Sequence, residues 1–307
     1  MDRKSLTRDI KRKAKEIGFN LSGITSAEPL REDHERLTAW LGKGHHASMD
    51  WMKKNTHRRS DPQLSLQNAR SILSLAMNYY TPFEHEENDQ AGKISRYGWG
   101  DDYHHILRKR LRLLERSIQE LASGTNTRSY VDTGPVLEKT LAQNAGLGWV
   151  GKHTLLINRE YGSWIFLAEV ITDLELEFDT PATDQCGTCR ACIDACPTQA
   201  ITEERILDSR RCISYLTIEH RGEFDKNAPA SLHGWVFGCD ICQDVCPWNR
   251  FQKPTEHDGF APRVSTSIAF DEIESMTDEA FASKFEKSPI RRPKLAGLKR
   301  NIARLRS

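Results

Sequence analysis

Apolar residues recur along the chain with two spacings, and each spacing predicts a type of element. Leu107, Leu111, Leu114, Ile118 and Leu121 fall four and three residues apart, which aligns them on one face of a helix over 104–122. The other faces carry Arg108, Lys109, Arg112 and Arg116, read as a solvated surface over a core. Four runs rich in β-formers, "SILSLAMNYY" (71–80), "RSYV" (128–131), "HTLLIN" (153–158) and "SWIFLAEVIT" (163–172), predict strands. The first twenty residues, "MDRKSLTRDIKRKAKEIGFN", and the segment "LEKTLAQNA" read as amphipathic helices. The first 180 residues or so are therefore expected to be α/β. An acidic connector at 173–185, containing Pro181, marks a candidate domain boundary.

The stretch "NAGLGWVGKHTLL" (144–156) fits both G-x-G-x-x-G and G-x-x-x-x-G-K. A phosphate-binding loop follows a strand and opens a helix, so that helix N-terminal amides face the phosphates. Here the expected order is helix, glycine loop, strand, and position 153 is His where Ser or Thr would hold magnesium. The order excludes a nucleotide site, and Gly146 reads as a helix C-cap.

Composition narrows the class. The chain has 307 residues with a formal net charge of +1, long enough for a substantial core and without a global charge that points to nucleic acid. Its N-terminus lacks the apolar region of a signal peptide and no window reaches the apolar length of a membrane span. A cytoplasmic location with no membrane contact is expected.

All eight cysteines lie between 186 and 246. Cys186, Cys189, Cys192 and Cys196 form C-x2-C-x2-C-x3-C before Pro197, and Cys239, Cys242 and Cys246 form C-x2-C-x3-C before Pro247, with Cys212 alone between. The first run is the bacterial ferredoxin motif, in which three closely spaced thiolates bind one [4Fe–4S] cluster and the fourth reaches a second. Crossing the ligands in that way gives Cys186, Cys189, Cys192 and Cys246 to one cluster, and Cys196, Cys212, Cys239 and Cys242 to the other. Cys212 replaces the first cysteine of a symmetric second run, where Val236 cannot ligate. Disulfides do not suit a chain without an export signal, and zinc does not explain the C-x3-C-P endings. Two clusters make the chain redox-active and leave the first 180 residues to use the electrons.

Asp132 follows the strand "RSYV" in "DTGPVLEK". A carboxylate there can face a cleft as an acid or base, or can cap the next helix. Both readings stand on local sequence.

The segments "DTGPVLEKTLAQNAGLGWVGKHTLLI", "GSWIFLAEVIT" and "SRYGWGDDYHHILRKRL", with the cysteine pattern, resemble epoxyqueuosine reductases. The likeness runs from "RRSDP" to "GLKRNIARLR", in a short form without appended helical repeats. It implies an α/β (α+β) cobalamin-binding domain over 1–178, resembling the reductive-dehalogenase core. A ferredoxin-like domain with two [4Fe–4S] clusters over 179–252 and a basic helical extension over 253–307 follow. The implied reaction is the last step of queuosine synthesis, reduction of epoxyqueuosine at the tRNA wobble position. Cobalamin reduced through the clusters to Co(I) attacks the epoxide, and Asp132 is the proton donor, with a pKa expected to be raised by burial against corrin and substrate. Positions matching cobalamin contacts are Arg59, Ser95, Asp132, Leu156, Leu167, Tyr215, Cys239 and Asp240. Lys139 and Asn158 match positions near the tRNA.

Two departures stand out: His153 sits where relatives often have Asn, and Ser95 where Cys can occur. The D-x-H-x-x-G motif of His-ligated cobalamin proteins is absent, since Asp102-Tyr103-His104 continues to Leu107, so the cofactor follows from the resemblance alone. The tail "SPIRRPKLAGLKRNIARLRS" has seven Lys or Arg and no acidic residue; it reads either as a phosphate-contacting surface or as a docked helix. The other implied partner is a low-potential donor of flavodoxin or ferredoxin type, and a monomer is expected. A cobalamin dehalogenase and a plain iron–sulfur electron carrier are the alternatives.

Overall fold

The computed structural model describes residues 2–86, 88–263 and 265–306. A four-stranded sheet has the order Leu21–Ser26, Ser71–Asn78, Ile165–Thr172, Thr127–Tyr130, with every neighbouring pair antiparallel. The architecture is thus the α+β form of the expected class. The two inner strands are buried almost throughout, which is why they read as continuous apolar runs rather than as alternation. One face, with Leu73, Leu75, Met77, Ala168 and Val170, packs on the helices Arg3–Ile17 and Tyr103–Leu121 through Ile10, Ala14, Leu107, Leu111, Leu114 and Ile118. The other face presents Ala76 and Ile165 to Ala142 and Ala145, and Ile72 and Ile171 to Leu141.

The Tyr103–Leu121 helix begins where Asp102 accepts the His104 N–H, and its apolar stripe is the one the spacing predicts. The helix expected over "LEKTLAQNA" starts at Glu138, and 132–136 before it are spent on a turn in which Asp132 has φ 51°. Helix, glycine loop and strand follow in the expected order. Gly146, at φ 77°, ends the Glu138–Asn144 helix in a conformation that glycine adopts without steric cost. The strand expected over 153–158 shortens to Leu156–Ile157. Gly151 accepts the Thr154 N–H and donates to Leu155 O, so a turn takes the preceding residues.

A second core draws on distant parts of the chain. Ala91–Ile94 lies between Trp235–Phe237, parallel, and Ser267–Ala269, antiparallel. Ile94, Trp99, Val236, Phe237 and Ile268 pack there with Phe285, Leu298 and Ile302. Segments 1–178, 179–252 and 253–307 therefore meet in shared cores.

The basic tail is docked. In the Lys294–Arg306 helix, Arg300 donates to the carbonyls of Leu216, His220 and Gly222 at 2.9, 2.9 and 3.1 Å, and the buried Asn301 to those of Thr217 and Val236. Arg292 forms a bidentate pair with Glu219 at 2.9 and 2.8 Å. These cations satisfy protein acceptors, so the docked-helix reading holds for them. Among the described residues no helix is long and apolar enough to cross a membrane.

Candidate active site and cluster-binding cavities

The cysteines gather into two quartets. Cys186, Cys189, Cys192 and Cys246 line one small cavity with Lys152, His153 and Trp248. Cys196, Cys212, Cys239 and Cys242 line a larger cavity of about 350 Å³ between the sheet end and the cysteine-rich segment. Each C-x2-C-x2-C or C-x2-C turn leads into a four-residue helix, Ala191–Asp194 or Ile241–Asp244. These short turns aim sulfurs inward, while Pro197 and Pro247 end each run and send Cys196 and Cys246 to the opposite quartet. None of the eight is in a disulfide.

Burial and neighbouring thiols raise the pKa of Cys239 and Cys242, and burial together with Cys246 pushes Cys192 up to about 11. Four thiolates crowded in this way repel one another, and a cationic iron core supplies the missing compensation. No group of three His, Cys, Asp or Glu side chains among the described residues is arranged for a single metal ion. The donor set fits two clusters.

The larger cavity continues away from its cysteines along Tyr79, Tyr97, Tyr103, Phe166, Leu156 and Leu167, with Ser95, Lys139 and Asp240 as polar points. Ser95 donates to Asp240 Oδ1 at 2.5 Å and the Arg96 N–H donates to Oδ2 at 2.6 Å. Burial pushes the Asp240 carboxyl up to about 7 against these two donors. The Ser95 hydroxyl is thus committed to Asp240. A broad apolar wall with sparse polar groups, next to a thiol quartet, fits a large macrocyclic cofactor with an amide fringe.

Asp132 stands beside this cavity, linked to its wall through the hydroxyl of Tyr103. Solvent reaches 56% of its side chain. Its backbone N–H donates to Glu138 Oε1 at 2.6 Å, which pins the turn at positive φ. Its Oδ2 lies 3.1 Å from His104 Nε2, and His104 Nδ1 lies 2.7 Å from Asp102 Oδ1. Burial would lower the His104 pKa, but the two flanking carboxylates outweigh it and raise it to about 9. The expectation of a raised Asp132 pKa does not hold in the chain by itself. Burial raises it, but the bond and charge of His104, with Tyr103, outweigh burial and hold it below the usual value. Glu138 carries the raised carboxyl, pushed by burial and the Asp132 charge to about 8.

The remaining expected residues divide. Leu156, Leu167, Ser95, Lys139, Cys239 and Asp240 line the cavity. Arg59 lies outside it, its guanidinium over the Trp51 ring at 5.6 Å, within electrostatic reach of Asp132 and Glu138. Tyr215 is turned away, its hydroxyl 2.6 Å from Ser48 Oγ and 3.4 Å from His220 Nδ1. Asn158 shapes a turn, donating to Leu147 O and accepting from the N–H groups of Glu160 and Tyr161. His104, Tyr103 and Glu138 escaped residue-level reasoning. Only the adjacency of Asp102 and His104 hinted at the first, and nothing local signalled that the helix start would meet the 132 turn.

A family profile described as epoxyqueuosine reductase QueG, DUF1730, matches residues 59–133, and a 4Fe-4S double cluster binding domain matches 185–249. An epoxyqueuosine reductase of Cellulophaga algicola is 45% identical over 95% of both chains. One of Synechocystis is 46% identical over 91% of this chain and 98% of its own. Among solved structures, an epoxyqueuosine reductase with an epoxyqueuosine-modified tyrosine-tRNA stem loop superimposes with a TM-score of 0.91 at 29% identity. The match covers 98% of this chain and 80% of that one. A Bacillus subtilis epoxyqueuosine reductase, described with its catalytic aspartate loop swung out of the active site, gives 0.90 at 28% identity over 98% and 81% of the two chains. With its cysteine quartets, its cavity and the carboxylate beside it, the chain belongs to the epoxyqueuosine reductase family.

Proposed function

We propose that this chain reduces epoxyqueuosine in tRNA to queuosine, with a cobalamin in the large cavity and [4Fe–4S] clusters at the two quartets. The observation that carries the reading is that one thiol quartet and Tyr103, which hydrogen-bonds Asp132, share the wall of a single apolar cavity. Bound cobalamin supplies a low-valent, strongly nucleophilic cobalt. Replacing the epoxide by an alkene takes two electrons and two protons and releases the oxygen as water.

The chain itself delivers electrons and protons. Clusters held by the Cys186, Cys189, Cys192, Cys246 quartet, where Cys189 is exposed, and by the Cys196, Cys212, Cys239, Cys242 quartet, which forms part of the cavity wall, would supply a path for electrons from a low-potential donor of flavodoxin or ferredoxin type to the cavity. Asp132 presents a proton to the oxygen of the opening epoxide. At neutral pH that proton resides in the His104–Asp132 pair, since His104 titrates near 9. Asp132 is the residue that touches substrate; His104 is a positioning residue that keeps the pair charged, and Asp102 fixes its ring. The family likeness to a structure carrying a catalytic aspartate loop supports this placement, and the Glu138 bond to the Asp132 N–H is the latch on that loop.

Leu156 and Leu167 offer apolar wall to the corrin, Ser95 and Asp240 a hydrogen-bonding edge, and Lys139 a cation for the tRNA end of the cavity. Arg59 lies where it supports Asp132 electrostatically. Tyr215 and Asn158 act by shaping the surrounding backbone. The test is reconstitution: the protein loaded with iron, sulfide and cobalamin converts epoxyqueuosine in tRNA under a low-potential reductant, and Asp132→Asn abolishes conversion while both cofactors stay bound. Iron without cobalamin binding would instead mark an electron carrier.

A further inference from the structure

The glycine-rich loop excluded as a phosphate site has a different use. A Cβ at Gly148 would meet Ile157 O at 2.1 Å, and one at Gly151 would meet Ile157 Cδ1 at 2.5 Å. The glycines are there so that the loop can lie against the Leu156–Ile157 strand. In that position it turns three nitrogen-bearing side chains toward the first cysteine quartet.

Trp149, 2% exposed and edge-on to Trp248 at 4.8 Å, donates its indole N–H to Cys186 Sγ at 3.4 Å. Lys152, 4% exposed, donates from Nζ to the carbonyl of Gly187, inside the Cys186–Cys189 turn, at 2.8 Å. Its carboxylate partner Glu204, at 2.7 Å, is half in solvent, so the ammonium is the more deeply buried charge of the pair. His153 Nδ1 accepts the Leu155 N–H at 3.2 Å, which places the ring proton on Nε2. That N–H is buried, has no partner among the described residues, and lies on the wall common to both cavities. Arg205 ties the loop down through Val150 O and the Lys152 carbonyl, and holds Asp184, which accepts the Cys186 N–H.

We infer that the 146–153 loop sets the reduction potential of the cluster bound by Cys186, Cys189, Cys192 and Cys246, through the Trp149 N–H on Cys186 and the buried Lys152 ammonium. Reduction adds one electron, and the added charge spreads over the cluster and its sulfurs. A hydrogen bond to a ligand sulfur and a nearby cation both favour the more negative state, so both raise the potential. The cluster whose quartet includes the exposed Cys189 thereby becomes the easier one to charge. No proton is transferred in this step. The inference rests on the proposed function only as far as two clusters are present.

The test is an anaerobic redox titration of the cluster-loaded full chain, followed by electron paramagnetic resonance, for wild type, Trp149→Phe and Lys152→Met, with iron measured in each. Removing the indole N–H is expected to make one cluster about tenfold harder to reduce, roughly 59 mV for a one-electron couple, and to leave the other unchanged. Lys152→Met is expected to shift the same cluster in the same direction. Two clusters with unaltered potentials in both variants would overturn this inference alone. A wild-type chain that takes up no iron would overturn the cluster reading with it.

Discussion

His104 Nε2 lies 3.1 Å from Asp132 Oδ2, and the same ring meets Asp102 Oδ1 at 2.7 Å through Nδ1. One imidazole is thus held between two carboxylates, stacked on Tyr103 at 4.1 Å, at the start of a long helix. The helix supplies the rigidity and the 132 turn supplies the reach. A proton held by this pair is available beside the cavity at pH values where a free carboxylate would have lost it.

The activity of the wild-type protein should therefore fall as pH rises through about 9, where His104 loses its proton. In His104→Gln, Asp132 loses the cation that keeps a proton nearby, and the alkaline limb should move into the acid range. General acid catalysis is worth about 10²–10⁴-fold, so at neutral pH this variant should lose at least tenfold in kcat with cobalamin and iron content unchanged. An unshifted pH profile would remove His104 from the proton path.

The same shifts fix the sign of the pH dependence of stability. His104 binds its proton more tightly folded than unfolded, so its contribution is complete below about pH 6.5 and is lost as pH rises through about 9. Glu138, raised to about 8, behaves in the same direction from about 4.5 upward. Thermal unfolding of the chain between pH 6 and 9 should show a falling midpoint, and Glu138→Gln should flatten that fall.

Cysteine replacements separate the ligand sets. Wild type should hold roughly eight irons as two cubanes. Cys212→Ser should lose the cluster at the large cavity and keep the other, while Cys246→Ser should do the reverse. Retention of both clusters in Cys212→Ser would exclude the isolated cysteine as a ligand.

Arg300 belongs to the fold rather than to RNA. Its three carbonyl acceptors are charge-assisted bonds worth about 1.5–3 kcal/mol each at most. Arg300→Met should lower the unfolding midpoint by several degrees and leave tRNA affinity unaltered at fixed salt. A selective loss of tRNA binding without destabilisation would reverse this assignment.

Much of the architecture was legible where burial is regular. The Leu107-to-Leu121 stripe, the two inner strands and the two closely spaced cysteine runs are local patterns that the sequence displays directly. Elements whose sequence is short or weakly apolar, such as "LSGITS" at Leu21–Ser26 and Ala91–Ile94, were not, because their stability comes from neighbours far along the chain. The site shows the same division. Asp132 was visible in its Gly/Pro turn, but the sign of its pKa depends on His104, 28 residues away. The basic tail shows the limit of charge counting: Arg300 faces protein carbonyls, Arg292 faces Glu219 and Arg306 faces Asp271 and Glu274, a fact set by docking geometry and not by composition.

The most direct measurement of the central claim is nucleoside mass spectrometry of epoxyqueuosine-bearing tRNA incubated anaerobically with the iron-, sulfide- and cobalamin-loaded protein and a low-potential reductant. Conversion of epoxyqueuosine to queuosine, with loss of one oxygen, abolished by Asp132→Asn, is the predicted result. Unchanged epoxyqueuosine from a protein shown to hold cobalamin and both reduced clusters would contradict it.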